Sequence, residues 1–348
     1  MTMTTAYLGL DLHATTCTLG IMDDDGTYQG HQRFPTAESE LIPHVVAIDA
    51  STKRLALEEG NLARWAARTL APYVEEVFVC DPRENALISR SPHKSDQADA
   101  YKLCRLLRLG ELKRVYQATE DHRALFKAAV QHYRDMRDQQ VALKQKIKAR
   151  FRRWGVLRVE GYRLYSKEGR AAYLDRLSHS GIADQLCHLY QILDLTLAMQ
   201  KQAKAQMLRL GKRYEEIARF QEVPGIGPIG SHLFDAFIQT PHRFQTRQKL
   251  WRYCGLGIRS KTSNGKPLGY EELDPSGRSE LKAVSYRAWL AALRQGDNAV
   301  HTFFEASLER TGDRTHARLN TQRKILATLL SLWKHESTYS PTRFLGST

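Results

Sequence analysis

Short apolar runs, each closed by a charged or turn-forming residue, organise the first hundred positions. Tyr7-Leu8-Gly9-Leu10 ends at Asp11, and Cys17–Met22 leads into Asp23-Asp24-Asp25-Gly26, a hairpin signal. A third strand is expected near Gln32–Phe34. Helical stretches around 38–47 and 62–71 flank a strand, Arg54–Glu58, and a further strand, Glu76–Cys80, runs into Asp81-Pro82. A helix follows over about 96–108, with Ala98, Leu103, Leu106 and Leu107 as its apolar positions. Three strands in a meander, then alternating helix and strand, predict a mixed sheet covered by helices.

From about 118 to 215 the pattern changes to helical spacing with almost no strand signal. Thr119 is placed to cap a helix whose first turn carries Glu120 and Asp121. After a Gly/Tyr-rich break near 155–166, Ile182, Leu186, Leu189, Leu193, Ala203, Met207 and Leu210 step by threes and fours, like a heptad seam. Thr196 and Gln200 interrupt it. The expectation is a long antiparallel helix pair that also meets a second subunit, with simple intramolecular packing as the alternative. Residues 216–348 open with Val223-Pro224-Gly225-Ile226-Gly227 and close with a helix near 317–334. The fold class expected is therefore α/β plus α: an α/β domain over 1–115, a helical coiled-coil region over 116–215, and a mainly helical domain over 216–348.

Charge and composition narrow the partners. The 348 residues hold 52 Lys and Arg against 38 Asp and Glu, a net charge of +14, and 42% are hydrophobic. That hydrophobic fraction supports real cores, and the basic excess favours an anionic polymer such as nucleic acid. The cysteines (Cys17, Cys80, Cys104, Cys187, Cys254) are scattered, with no C-x-x-C pair, which fits a reducing cytoplasm rather than a disulfide framework or zinc site. No signal peptide and no bilayer-spanning apolar run is evident, so no membrane partner is expected.

Several groups could carry chemistry. Asp11 and Glu58 end strands, and Asp96 and Asp99 lie three apart on one helix face. Carboxylates so arranged make a pocket of hard oxygen ligands suited to Mg²⁺, or Mn²⁺, with two ions able to clamp a phosphoryl transfer. Each also has a plain reading: Asp11 as a strand end, Ser95-Asp96 as a helix cap. Glu59 competes with Glu58, but successive strand residues face opposite sides, so only one can enter the site.

Gly225 and Gly227 could let backbone N–H groups approach phosphates, or could simply make a tight turn. Lys144, Lys146, Lys148, Arg150, Arg152 and Arg153, interleaved with Phe151 and followed by Trp154, read as a surface tracking a nucleic-acid backbone, or as a solvated helix face. A polar loop from Cys254 to Lys266 carries Arg259, Lys261 and Lys266 among several serines, of which Ser263 by itself has no special claim.

Taken together, the strand-and-acid start ending in Lys94-Ser95-Asp96-Gln97-Ala98-Asp99-Ala100, the helical middle, Val223-Pro224-Gly225-Ile226-Gly227 and the Gly-Leu…Arg…Ser loop resemble one group of proteins. That group is insertion-sequence family one-ten, the DEDD transposases related to the Piv/MooV invertases. The resemblance covers nearly the whole chain.

It implies a ribonuclease-H-like (RuvC-like) domain whose acids, matching Asp11, Glu58, Asp96 and Asp99, bind Mg²⁺. It also implies a C-terminal domain whose serine, matching Ser263, attacks DNA to form a phosphoserine link. Arg259, Lys261 and Lys266 would then stabilise developing negative charge. A bridge RNA pairing with donor and target double-stranded DNA, assembly as a dimer of dimers, and a prokaryotic, nucleoid-associated setting are further implications.

Two departures accompany it. Glu58-Glu59-Gly60-Asn61 stands where Glu-Ala-Thr-Gly is common, and Ser263-Asn264-Gly265 replaces a Ser-Gly variant with Ser260 nearby. The alternatives are a metal-dependent junction-resolving nuclease that uses water and a non-catalytic nucleic-acid scaffold.

Overall fold

The structure, a computed structural model, describes residues 3–82, 95–117, 120–259, 262–263, 266–267 and 272–346, with the backbone alone at 262–263 and 266–267. The chain divides into two compact units, Met1–Thr119 and Glu120–Thr348.

The first unit is built on five strands, β1 (Met3–Leu12), β2 (Thr16–Met22), β3 (Tyr28–Pro35), β4 (Ala50–Glu58) and β5 (Glu76–Cys80), in the order β3-β2-β1-β4-β5. The first three pair antiparallel, and β1 with β4 and β4 with β5 pair parallel, as the meander followed by helix–strand alternation requires. The hairpin turn after β2 closes through Gly26, whose φ of 89° is one an L side chain avoids.

Period-two alternation gives the sheet two apolar faces. Leu8, Leu10, Leu55 and Leu57 join Leu41, Val45, Ala66 and Leu70 in one core, under α1 (Glu38–Val46) and α2 (Ala63–Leu70). The opposite face carries Gly9 and Ala56 and receives α3 (Asp96–Leu109), whose Leu103, Leu106 and Leu107 pack with Ala56 and Cys80. Burying each of these leucines contributes about 1.5–3 kcal/mol. Ser95 caps α3, its Oγ accepting from the Ala98 N–H at 3.2 Å, and Gly110 ends it in the left-handed region.

The second unit begins with α4 (Asp121–Arg153), followed by two short helices, α5 (Gly161–Tyr165) and α6 (Lys167–Leu174), then α7 (Ser180–Gly211). The expected cap, Thr119, lies outside the described residues. Leu143, Ile147 and Phe151 of α4 pack with Leu186, Tyr190 and Leu193 of α7, while Phe126, Val130 and Tyr133 share a core with Ala203 and Met207. That order of contacts makes the pair antiparallel. The seam positions Leu186, Leu193, Ala203 and Met207 of α7 thus pack with α4 of the same chain.

The C-terminal half of α4 and the N-terminal half of α7 keep a core of their own with α5 and α6, and the rest of the pair does not. Phe126 to Tyr133 join one large cluster with α8 (Glu215–Gln221), α9 (Pro228–Ile238), α10 (Arg247–Tyr253), α11 (Ser279–Arg294), α12 (Ala299–Thr311), α13 (Arg314–Lys334) and α14 (Pro341–Gly346). Between α10 and α11 run four two-residue strands, β6 (Ile258–Arg259) paired with β9 (Glu272–Leu273) and β7 (Thr262–Ser263) paired with β8 (Lys266–Pro267). Among the described residues no helix is long and apolar enough to cross a membrane, and all cysteines are free.

Candidate active site

Asp11 and Glu58 stand at the same end of adjacent parallel strands, each one residue beyond the Leu10↔Leu57 pair. Gly9 is in register with Ala56, so Asp11, two residues past Gly9, and Glu58, two past Ala56, share the α3-facing side. This alternation favours Glu58 over Glu59 on that side, and Glu59 is exposed.

What brings α3 close is the absence of a side chain. A Cβ on Gly9 would lie 2.2 Å from the Ala100 carbonyl oxygen and 2.8 Å from the Cys104 nitrogen, both of them α3 backbone. Gly20, paired with Gly9 on β2, leaves room for the same Ala100 carbonyl. We expect Gly9→Ala to push the helix off the sheet and to lower the stability of the N-terminal unit by about 1–3 kcal/mol. Thermal unfolding of the variant measures this, and an unchanged midpoint would show that α3 can move without cost.

With α3 so seated, its first turn meets the end of β1. Asp96 and Asp11 come together with His13: His13 Nε2 lies 3.2 Å from Asp11 Oδ2 and 3.8 Å from Asp96 Oδ1. One ligand atom from each of the three falls within 4.8 Å of the others. Arg33 Nη2 is 3.9 Å from Asp96 Oδ2. Asp99, buried on the sheet side, takes Lys102 Nζ at 3.3 Å. Glu58 is half-buried at its strand end. Ser95-Asp96 is indeed a helix cap, but on a helix packed against the sheet rather than a solvated one.

Burial raises the Asp11 pKa most; His13 opposes the shift, and the charges of Asp96 and Asp99 add to it. Asp11 Oδ2 is buried with no aligned hydrogen-bond donor among the described residues. An under-compensated carboxylate in a group of oxygen donors is what a divalent cation relieves, and the donor set fits one. His13 was not singled out from the sequence. The available signal was Asp-x-His at a strand end, where a period of two keeps both residues on one side.

The remaining candidates sit in the second unit. Ile147 and Phe151 are wholly buried, so Phe151 cannot stack on a base, and the aromatic part of the tracking surface reduces to the exposed Trp154. Lys146, Arg150, Arg152 and Arg153 are exposed, while Lys144 and Lys148 are half-exposed. Lys144 Nζ lies 5.2 Å from the Tyr165 ring centre, and Arg150 donates to Gln185.

Gly225 has a φ of 84°, and a Cβ there would come 2.0 Å from the Ala288 carbonyl of α11. Its glycine is thus required for packing and gives no separate argument for phosphate. Gly227 caps α9 and has open space where a Cβ would be.

The loop after α10 is rooted at its base: the Arg278 N–H donates to the Tyr253 carbonyl at 2.8 Å, and Arg252 Nε lies 2.9 Å from Asp274 Oδ2. Arg259 pairs with Glu272 across the β6–β9 ladder at 2.7 Å. Ser263 is opposite Lys266 in a two-strand ladder. Lys261 and Ser260 lie outside the described residues.

A five-stranded mixed sheet with acids at its strand ends, followed by a mainly helical region, defines a ribonuclease-H-like phosphoryl-transfer protein. The family model described as "Transposase IS116/IS110/IS902 family" matches residues 217–305, and the DEDD model of the IS110 group, described as "Transposase", matches 8–153. The chain belongs to the IS116/IS110/IS902 family of insertion-sequence transposases. It is an enzyme of DNA transposition that binds DNA and carries out phosphoryl transfer, with a DEDD-type domain whose acids are consistent with a divalent metal. No curated protein matches it.

Proposed function

We propose that this transposase cuts and rejoins DNA through a covalent phosphoserine at Ser263, with Asp11, Glu58, Asp96 and Asp99 as the acids of the metal site. The observation that carries the acidic half is the meeting of Asp11 and Asp96 at the seat made by Gly9. A divalent ion, Mg²⁺ or Mn²⁺, bound there would neutralise charge on the scissile phosphate.

Ser263 Oγ attacks phosphorus. The Oγ–P bond forms, the bond from phosphorus to a DNA oxygen breaks, and the serine proton ends on the released DNA hydroxyl. Reversal by a hydroxyl of the exchanged strand reseals the backbone and frees the serine, so no water is consumed. Support for Ser263 comes from its place in the Cys254–Lys266 loop within the family match at 217–305. Lys261 and Lys266 would bring positive charge to the phosphate. Arg259 is held by Glu272, so a role for it requires exchanging one carboxylate for a phosphate.

The exposed cations of α4, the +14 charge and the resemblance support guidance by a bridge RNA on donor and target DNA, with assembly as a dimer of dimers. Incubation with the element's DNA and RNA and Mg²⁺, followed by a denaturing gel, tests the chemistry. The wild type is expected to give a protein–DNA adduct, and Ser263→Ala none, with strand exchange lost. Normal cleavage by Ser263→Ala would make the enzyme a water-using nuclease.

A further inference from the structure

His13 has no packing reason to lie where it does. Its side chain is 59% exposed, yet Nε2 is directed at Asp11 and Asp96. Its backbone is fastened on both sides: the His13 N–H donates to the Thr16 carbonyl at 3.2 Å, and Thr36 Oγ1 donates to the His13 carbonyl at 2.7 Å. The ring is thus carried by a pinned turn between β1 and β2, beside two carboxylates that the fold also holds fixed. Open solvent on its far side leaves room for water or a phosphate oxygen.

We propose that His13 is a ligand of the divalent ion, adding one nitrogen donor beside the carboxylates of Asp11 and Asp96 in the four-acid site. This rests on the acidic metal site proposed above and adds to it a selectivity. An all-oxygen pocket suits Mg²⁺, whereas imidazole nitrogen is a better ligand for transition metals such as Mn²⁺. The protein therefore binds Mn²⁺ more tightly than its carboxylates alone would provide. Arg33 and Lys102, which lie 3.9 Å from Asp96 Oδ2 and 3.3 Å from Asp99 Oδ1, would compete with the ion for those carboxylates.

The test uses the full-length protein, without DNA, and Mn²⁺ as the probe. Electron spin echo spectroscopy reads nitrogen directly bound to Mn²⁺, and titration gives the affinity. The wild type is expected to show nitrogen coupling that disappears in His13→Ala. That variant should weaken Mn²⁺ binding by about tenfold or more and Mg²⁺ binding by less.

Asp11→Asn serves as the control that locates the ion, and circular dichroism confirms that each variant is folded. Mn²⁺ bound in an Asp11-dependent way without nitrogen coupling would overturn the role of His13 and leave the acids standing, as would coupling that persists in His13→Ala. A folded wild type that binds no Mn²⁺ would remove both readings.

Discussion

Asp11→Asn is expected to abolish strand cleavage, by roughly a thousandfold or more, while leaving the metal-free protein slightly more stable than the wild type. The two effects share a cause. Asp11 is largely buried at the end of β1, its Oδ2 lacks an aligned donor, and Asp96 and Asp99 crowd it with like charge. His13 offsets only part of this, so the Asp11 pKa stays raised.

The folded chain therefore holds this proton more tightly than the unfolded chain. The resulting stability is fully present below the unfolded carboxylate pKa and is lost as pH rises through the raised folded value. An asparagine cannot ionise, so the variant lacks that loss. Unfolding midpoints with chelator present, from mildly acidic to neutral pH, should show the variant gaining on the wild type as pH rises. Cleavage assays supply the other half. A variant that is both inactive and less stable at neutral pH would mean that Asp11 is structural.

Arg123→Met should destabilise the second unit by about 3–5 kcal/mol. Arg123 reaches from α4 to two carboxylates of the C-terminal helices, Asp235 Oδ1 and Glu216 Oε1, each at 2.5 Å. Its guanidinium also lies 3.9 Å from the Tyr214 ring centre and 5.4 Å from that of Trp333. Asp235 is wholly buried; burial drives its pKa up, and Arg123 is the charge that pulls it back.

Without Arg123, Asp235 must either ionise unpaired or take up a proton, and both cost stability. Asp235→Leu added to Arg123→Met should recover part of the loss, because the fully buried carboxylate then goes with the guanidinium while Glu216 is left without its partner. Denaturant titration followed by tryptophan fluorescence measures the single and double variants. A single variant within about 1 kcal/mol of wild type would show that water reaches the pair.

Much of this was legible in the sequence because it is local. The alternation through Tyr7–Leu10 and Arg54–Glu58, the Asp23–Gly26 turn and the helix from Asp96 all depend on near neighbours, and the strands and helices formed where the pattern put them. Phe151 shows where such local reading stops. A charge run with an aromatic has one appearance whether the ring faces a base or, as here, a partner helix 35 or so residues away in sequence.

The sequence by itself determined the mixed sheet, the helical remainder, the family and the acids placed at strand ends, since each is written in spacing and residue type. Tertiary structure decided which groups meet. Gly9 is one glycine among 22 until the α3 backbone is found against it. Asp96 and Asp99 are equivalent in the helix pattern, yet Asp96 joins Asp11 and His13 while Asp99 takes Lys102. Gly225 reads equally as a phosphate cradle or a tight turn until the α11 backbone is found against it. In each case the deciding quantity is the distance of approach between elements remote in sequence, which packing fixes and no local pattern records.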